Sequence, residues 1–333
     1  MSESAYSAVG GLPFDDEELE SRLVWIWGSG RTGSTWLMEL LTAPLKASRD
    51  HAIGFTWPPS WDGQATALPV DEFLISQHLV PWLGKAEDLT GTWRPDTLLN
   101  YMGTHPSYAF SDAYADVWRP EVRRLALVRL HAVVERAQDA GLKLPAALPL
   151  LVIKEVNGSH GADVVMPLFQ RSRMIFLLRD PRDVLDSLLD ARRRGGWLAD
   201  ARPLAEVGGA EQRLEVVEGA CRNWIAQFQV VRRAFEAHDP ARRRELRYER
   251  LLADTAAELG ELRDWLGLPA EPQRVEKIAE RHSFESVPER LKGPGKHYRA
   301  ARPGGWRTSL SEAEQETAQR ILGPSLVELG YEA

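Results

Sequence analysis

The sequence predicts an α/β protein built around a parallel β-sheet, and three observations support this. Residues 23–27 are apolar at every position, which is typical of a central parallel strand with both faces covered. Further strand-like runs at 150–153, 173–178 and 245–248 alternate with stretches of helical periodicity. The chain has 333 residues, 44% of them hydrophobic, and can bury a large core in a single domain.

Composition excludes several classes of function. The formal net charge is −7, so the surface as a whole is unsuited to nucleic acid or to an anionic membrane. Cys221 is the only cysteine, which excludes an internal disulfide and a multi-cysteine metal site and indicates a reducing, cytoplasmic setting. We expect an inert buried thiol, no metal and no membrane association, and the composition leaves a homodimer open.

The first twenty residues are predicted to form a flexible tail ahead of a single domain over 21–333. They carry five acidic residues between 15 and 20 and no basic residue, the opposite of a secretory leader.

A glycine-rich turn follows the first strand and leads into a helix with apolar residues at 36, 37, 40 and 41. Turn and helix N-terminus present backbone N–H groups and a partial positive charge, and Arg31 adds a full one, so a phosphate is the expected ligand. Gly28 and Gly33 have the spacing of a nucleoside-triphosphate P-loop, but Ser34 occupies the position of its lysine. By itself such a turn is equally typical of a nucleotide kinase variant or a plain tight turn.

The basic residue of this turn is Arg31, three positions before the place of the P-loop lysine, and it is followed by Ser34-Thr35-Trp36. In these features the turn resembles the 5′-phosphosulfate loop of sulfotransferases that use 3′-phosphoadenylyl sulfate (PAPS). In that family a lysine or arginine precedes a Ser/Thr-Gly-Ser/Thr-Thr-Trp run. The resemblance implies that the loop binds the 5′ side of the nucleotide.

Residues 46–140 are predicted to be a helical and loop insertion. Prolines and aromatics dominate its first part, and a long helix is expected from about 114 to 139, ending before Gly141. Trp57, Trp61, Trp82 and Trp93 suggest an apolar or aromatic acceptor, although sugars also stack on tryptophan. The aromatics of 70–110 could form a lid or substrate wall, and they could equally fill a helical core.

The second strand, 150–153, delivers Lys154 and Glu155 to the edge of the sheet where ligands of α/β proteins bind. Glu155 is a candidate general base or hydrogen-bond anchor. An ion pair between Lys154 and Glu155 that closes the strand end is an equally good interpretation.

The third strand, 173–178, leads into Arg179-Asp180-Pro181, where Asp180 can cap the next helix and Pro181 suits its first position. Ser187 lies eight positions after Arg179. This context resembles the arginine and serine that hold the 3′-phosphate of PAPS in the same family.

Two later segments extend the resemblance. Tyr248 opens a helix predicted to run to Leu266-Gly267-Leu268-Pro269, and the matching family tyrosine lies beside the adenine. Near the C-terminus, aligning Trp306 with the family tryptophan places Arg299 on the arginine of a basic loop that closes over the 3′-phosphate. Ala300 and Ala301 stand in place of the family lysine and glycine. Part of the loop's contact with the 3′-phosphate is therefore absent, or Arg302 provides it.

The resemblance implies a three-layer α/β/α sandwich with a short central parallel sheet, similar to P-loop NTPases. It also implies in-line transfer of a sulfuryl group from PAPS to a hydroxyl or amine of a small-molecule acceptor, such as a secondary metabolite, leaving adenosine 3′,5′-bisphosphate. Arg31 would stabilise the leaving phosphate. The implied nucleotide-binding residues are Gly30, Arg31, Thr32, Gly33, Ser34, Thr35, Trp36, Arg179, Ser187, Tyr248, Arg299 and Arg302.

The general base does not follow the family's common pattern. Cytosolic small-molecule sulfotransferases carry a Lys-Thr-His run after the second strand, and Val156 stands at the position of that histidine. Other branches use a glutamate beyond the phosphate loop, a region that here holds Asp50 and His51. A histidine that titrates near pH ~6.5 suits a base at neutral pH, so we rank His51 before Glu155.

Two other functions remain open at this point. A P-loop kinase acting on a small molecule with ATP and Mg²⁺ is opposed mainly by Ser34 in the lysine position. A nucleotide-binding regulator without catalysis would not need the candidate bases.

Overall fold

The computed structural model describes residues 15–42, 48–50, 54–56, 67–71, 114–139, 149–201 and 209–332. The strands are β1 Leu23–Trp27, β2 Ser48–Asp50, β3 Gly54–Thr56, β4 Ala67–Asp71, β5 Leu150–Lys154, β6 Arg173–Leu178 and β7 Arg243–Arg247. The helices are α1 Asp16–Ser21, α2 Ser34–Thr42, α3 Ala115–Asp139, α4 Ala162–Val165, α5 Pro181–Arg192, α6 Trp197–Ala201, α7 Ala210–Ala237, α8 Tyr248–Ala253, α9 Thr255–Trp265, α10 Pro272–Arg281, α11 Trp306–Ser309 and α12 Glu312–Glu328.

The central sheet has five strands in the order β4-β5-β1-β6-β7, and all neighbours are parallel. Strand β1 occupies the middle, with Trp25 opposite Ile153 of β5 and Met174 of β6. The loop that follows β1 therefore leaves the sheet between the ends of two neighbouring strands, where ligands of open α/β sheets bind.

Strand β1 contributes side chains to two separate cores, because successive side chains point to opposite faces of the sheet. Trp25 and Trp27 stack at 5.6 Å between ring centroids on one face, against residues of α3, α4, α5, α7 and α12. Val24 and Ile26 face residues of α2, α9 and α10 on the other. Burial of both faces explains the unbroken apolar run and gives the predicted three-layer sandwich.

Three local predictions were wrong. Residues 16–20 belong to helix α1 rather than to a tail, because Asp15 caps the helix through the Glu18 N–H at 2.8 Å and Leu19 is fully buried. Residues 67–71, assigned to the insertion, form the edge strand β4 of the central sheet. The helix from Tyr248 is two helices, broken at Asp254, whose side chain accepts from the Ala257 N–H and caps the second.

Other parts of the predicted insertion lie outside the described residues. These include His51 and the tryptophans at 57, 61, 82 and 93. Helix α3 confirms the predicted long helix, with Leu127 and Leu130 buried in the core. In the described part of the chain, no helix has the length and apolar character needed to span a membrane.

Candidate functional site

The glycine-rich loop between β1 and α2 depends on two glycines. Gly28 has φ +152°, and a Cβ at this position would lie 2.4 Å from the carbonyl oxygen of Leu177 in β6. Gly33 has φ +87°, and its Cβ would lie 2.7 Å from the Tyr248 ring. Both positions favour glycine by backbone conformation as well as by space. The loop is thus held against the ends of β6 and β7.

Replacing Gly28 with alanine is expected to lower the free energy of unfolding by about 2–4 kcal/mol, because the added methyl group meets backbone in a left-handed conformation. Thermal unfolding of the full chain measures the effect. Gly260→Ala is the matched control. Gly260 lies inside α9 with no atom within 4 Å of its Cβ position, so alanine there should be neutral or stabilise by up to about 1 kcal/mol. Equal melting temperatures for the two variants would contradict this.

Arg31 connects three elements. Its backbone is left-handed, with φ +73°, a strained conformation for a residue with a side chain. Its Nε donates to the Ser187 hydroxyl of α5 at 3.0 Å, and its Nη2 donates to the carbonyl oxygen of His297 at 3.2 Å. The guanidinium lies 5.3 Å from the centroid of the Trp197 ring. The loop cation is therefore fixed between helix α5 and the C-terminal part of the chain.

Arg179 lies next to Arg31, at the end of β6. Its Nη1 donates to the carbonyl oxygen of Arg31 at 2.9 Å, and its guanidinium lies 4.4 Å from the centroid of the Tyr248 ring. The Nε is buried with no hydrogen-bond partner among the described residues. Burial raises the pKa of Tyr248, although the charge of Arg179 acts in the opposite direction. Two guanidinium groups thus share one corner of the site.

Helix α5 begins directly after Arg179 because its first turn is well capped. The Asp180 side chain accepts from the Arg182 N–H at 2.9 Å, and Pro181 occupies the first helical position. The Asp180 N–H donates to Glu249, the residue after Tyr248, at 2.8 Å. This contact joins the ends of β6 and β7 and holds Arg179 over the tyrosine ring.

Residues 295–306, here called the basic segment, lie along α5. Asp183 of α5 is fully buried and accepts from the backbone N–H groups of Gly304 at 2.8 Å and Trp306 at 3.3 Å. Burial raises the pKa of Asp183, and the backbone hydrogen bonds offset only part of that effect. The basic segment is therefore docked on helix α5 through its backbone.

These elements enclose one cleft of about 920 Å³, its open mouth included. The predicted residues that line it are Arg31, Gly33, Ser34, Thr35, Trp36, Arg179, Ser187, Tyr248, Arg299 and Arg302. Gly30 and Thr32 do not line it, and the Thr32 hydroxyl donates to the Ser29 carbonyl oxygen at 2.9 Å within the loop. Among the described residues, the wall of this cleft contains arginines and no carboxylate.

Several residues of the cleft were missed in the sequence. His282, Phe284, His297 and Tyr298 also line it, and Trp36 Nε1 donates to the His282 carbonyl oxygen at 2.7 Å. Burial and the neighbouring Arg281 lower the pKa of His282, which favours the neutral ring. The aromatic content of 282–298 was a usable signal, but no periodicity connected it to the loop.

Of the two candidate bases, the structure describes only Glu155. His51 is outside the described residues, as is the side chain of Asp50. Glu155 is fully buried at the end of β5 and does not line the cleft. Cys221 is buried, and burial raises the pKa of its thiol to about 12, as expected for an inert group.

The cleft has the chemistry of a site for an anionic nucleotide. Four arginines supply positive charge, the first turn of α2 supplies N–H groups without partners inside the helix, and Trp36, Tyr248 and Phe284 supply aromatic surfaces. Guanidinium groups bind phosphates through paired hydrogen bonds, and aromatic rings pack against bases.

The chain is similar to known proteins in sequence profile and in fold. A profile described as "Sulfotransferase family" matches residues 24–272. A search of curated proteins finds no significant match. Among solved structures, mouse sulfotransferase SULT7A1 complexed with PAP is similar at a TM-score of 0.51 and 11% identity, covering 93% of this chain and 87% of that one.

Two further structures are more distant in shape. Sulfotransferase STF9 from Mycobacterium avium has a TM-score of 0.48 and 15% identity over 93% of this chain and 77% of its own. Retinol dehydratase in complex with androsterone and the inactive cofactor PAP has a TM-score of 0.46 and 16% identity over 92% and 81%. At these identities the structural likeness bears on the fold alone, and the family match carries the assignment.

Proposed function

The chain belongs to the sulfotransferase family, and on that premise we propose that it transfers a sulfuryl group from PAPS to a hydroxyl or amine of a small-molecule acceptor. The observation that carries the proposal is the convergence of Arg31, Arg179 and Ser187 in one cleft at the carboxyl edge of the sheet. These residues belong to two sequence motifs more than 140 positions apart.

The residues of the cleft fit a nucleotide phosphorylated at both ends. Arg31 and the first turn of α2, at Ser34 and Thr35, would hold the 5′ side. Arg179, Ser187 and Arg299 would hold the 3′-phosphate on the other side of the loop. The buried Arg179 Nε, which has no partner in the described part of the chain, is a donor suited to a phosphate oxygen.

The adenine would lie against the aromatic surfaces of the cleft. Trp36 meets the Tyr248 ring edge-on at 6.0 Å and 70°, and Phe284 lies on the wall of the same cleft. Aromatic surfaces of this kind favour contact with a planar heterocycle. Arg179, which contacts both the Tyr248 ring and the Arg31 carbonyl oxygen, would then lie between the adenine and the phosphate loop.

When bound, the donor supplies a sulfuryl group attached to a phosphate that can leave. Arg31 and the loop N–H groups would stabilise the negative charge left on the bridging oxygen. Because Ser187 and the His297 carbonyl oxygen fix Arg31 before reaction, its side chain would need little reorganisation. The acceptor would attack from the side opposite the loop, in line with the leaving oxygen.

We propose His51 as the general base and Glu155 as the second candidate for this role. Replacing the base with alanine should lower turnover by about 10²–10⁴-fold while leaving the affinity for the donor unchanged. Steady-state rates of His51→Ala and Glu155→Ala at saturating PAPS distinguish the two residues. Equal rates for both variants and the parent chain would remove both from the mechanism.

The acceptor is proposed to be a small hydroxylated or amino compound of the secondary-metabolite class. The experiment is a transfer assay with PAPS labelled on its sulfuryl group, run against a panel of phenols, aliphatic alcohols, amines and sugars. Label should appear in one chemical class of acceptor, with release of adenosine 3′,5′-bisphosphate. Absence of transfer to every class, with donor binding intact, would favour a nucleotide-binding regulator.

Cytoplasmic location is part of the proposal. It is supported by the single, buried cysteine, which suits a reducing compartment.

A further inference from the structure

Carboxylates of α5 attach the basic segment at both of its ends. Near the C-terminal end of the helix, Asp190 accepts from the Gly295 N–H at 2.7 Å. Near its N-terminal end, Asp183 accepts from the Gly304 and Trp306 N–H groups. The segment therefore runs antiparallel to the helix, and both end contacts involve its backbone only.

Between these contacts, Asp186 binds a side chain. The guanidinium of Arg299 forms a two-pronged ion pair with the Asp186 carboxylate, in which Nη1 donates to Oδ1 at 2.7 Å and Nη2 donates to Oδ2. A Cβ on Gly305 would lie 3.4 Å from both Arg299 Nη2 and Asp186 Oδ2, so the backbone at Gly305 covers the pair. Asp186 is only 3% exposed, which protects the pair from screening by salt.

Arg299 is the member of this pair that reaches the nucleotide cleft. It lines the cleft, whereas Asp186 does not. Burial alone would lower the pKa of Arg299, but the hydrogen bond and charge of Asp186 raise it above its ordinary value. A guanidinium has five N–H donors, so a carboxylate on two of them leaves others for a phosphate.

We propose that Asp186 is a positioning residue: it fixes the Arg299 guanidinium toward the 3′-phosphate and so sets the preference for nucleotides that carry this phosphate. The proposal rests on the function given above. Ala300 and Ala301, the next two residues of the segment, bring no charge and no side-chain donor to the cleft. Of residues 299–301, only Arg299 can then add to the contacts of Arg179 and Ser187 with the 3′-phosphate, and its contribution depends on holding its guanidinium in place.

The test compares two ligands, adenosine 3′,5′-bisphosphate and adenosine 5′-monophosphate, by titration calorimetry on the full chain. The ratio of their dissociation constants measures the preference for the 3′-phosphate. Asp186→Asn keeps the size of the side chain and removes its charge. It should weaken bisphosphate binding about tenfold and leave monophosphate binding within about twofold.

Asp190→Asn is the matched control, since Asp190 hydrogen-bonds the same segment only at the Gly295 N–H and acts on Arg299 through charge without a hydrogen bond. The ratio of the two dissociation constants in Asp190→Asn should equal that of the parent chain. If Asp186 merely stabilised the fold, the Asp186→Asn chain would melt earlier and both ligands would weaken together. An unchanged ratio in Asp186→Asn, or tighter bisphosphate binding, would overturn the proposal.

One Arg299 variant keeps the proposal testable even if Asp186→Asn fails to fold, and a second tests whether Asp186 acts through Arg299. Arg299→Lys keeps the charge but lacks the forked guanidinium, so its preference for the bisphosphate over the monophosphate should fall about tenfold. A ratio of dissociation constants equal to that of the parent chain would overturn the proposal. Asp186→Asn should cause no further loss of preference in an Arg299→Ala background, because it acts through Arg299. A parent chain that shows no preference for the bisphosphate would overturn the proposed function as well, which separates the two failures.

Discussion

Turnover of the Arg31→Ala variant is expected to fall by about 10²–10³-fold at saturating PAPS, the loss of about 2.7–4 kcal/mol typical of a donor aimed at developing charge. Arg31 carries the full positive charge of the phosphate loop, and its contacts with Ser187 and with the His297 carbonyl oxygen fix it before reaction. The affinity for adenosine 3′,5′-bisphosphate should fall much less. Single-turnover rates and product affinity measured on the same preparation check both parts.

Arg31→Lys is the matched comparison for this variant. Lysine keeps the charge at the same left-handed position and loses the fork that bonds to α5 and to the basic segment. We expect a rate within about tenfold of the parent chain. If lysine and alanine variants were equally slow, charge at residue 31 would not be the source of the rate.

The Arg179→Ala variant is expected to raise the KM for PAPS about a hundredfold with a smaller change in kcat. Arg179 offers charge-assisted hydrogen bonds to a phosphate that takes no part in the reaction, and such bonds are worth about 1.5–3 kcal/mol each. Loss of its contact with the Arg31 carbonyl oxygen adds a secondary effect on the loop. Initial rates over a range of PAPS concentrations separate KM from kcat.

Arg194→Ala provides the control, because Arg194 is an exposed arginine just beyond the end of α5. Its KM should equal that of the parent chain. A fall in kcat for Arg179→Ala without a change in KM would place Arg179 at the reacting group rather than at the 3′-phosphate.

The features that were predicted from sequence are those encoded locally. Strand β1 and its loop are contiguous, and the burial of both sheet faces is visible as five apolar residues in a row. Arg179 could be placed because Asp180 and Pro181 mark the start of α5 within two residues of it. In each case the backbone conformation follows from side chains a few positions away.

The features that were missed depend on distant pairing. Strand β4 is short, contains Pro69 and, among the strands that the structure describes, pairs with β5 alone, about eighty positions later. A proline is tolerated in an edge strand but removes the usual signature of a strand in the sequence. Its position in the central sheet became visible only through the register with β5.

The wall of the cleft shows the same limit. His282, Phe284, His297 and Tyr298 come from two loops that no periodicity connects to residue 31. No role was predicted for Asp183, Asp186 and Asp190 of α5, because the partners that define their role lie more than 100 residues away. Tertiary contact, rather than local preference, selects these residues.

The measurement that bears most directly on the proposed function compares thermal stabilisation by adenosine 3′,5′-bisphosphate with that by ATP and Mg²⁺. At a hundred times its dissociation constant, a ligand of the folded state stabilises it by about 2.7 kcal/mol, which raises the melting temperature of a chain of this size by roughly 4 °C. We predict this shift with the bisphosphate and little or none with ATP and Mg²⁺. Stabilisation by ATP and Mg²⁺ alone would contradict the assignment of the cleft to PAPS and would favour a kinase.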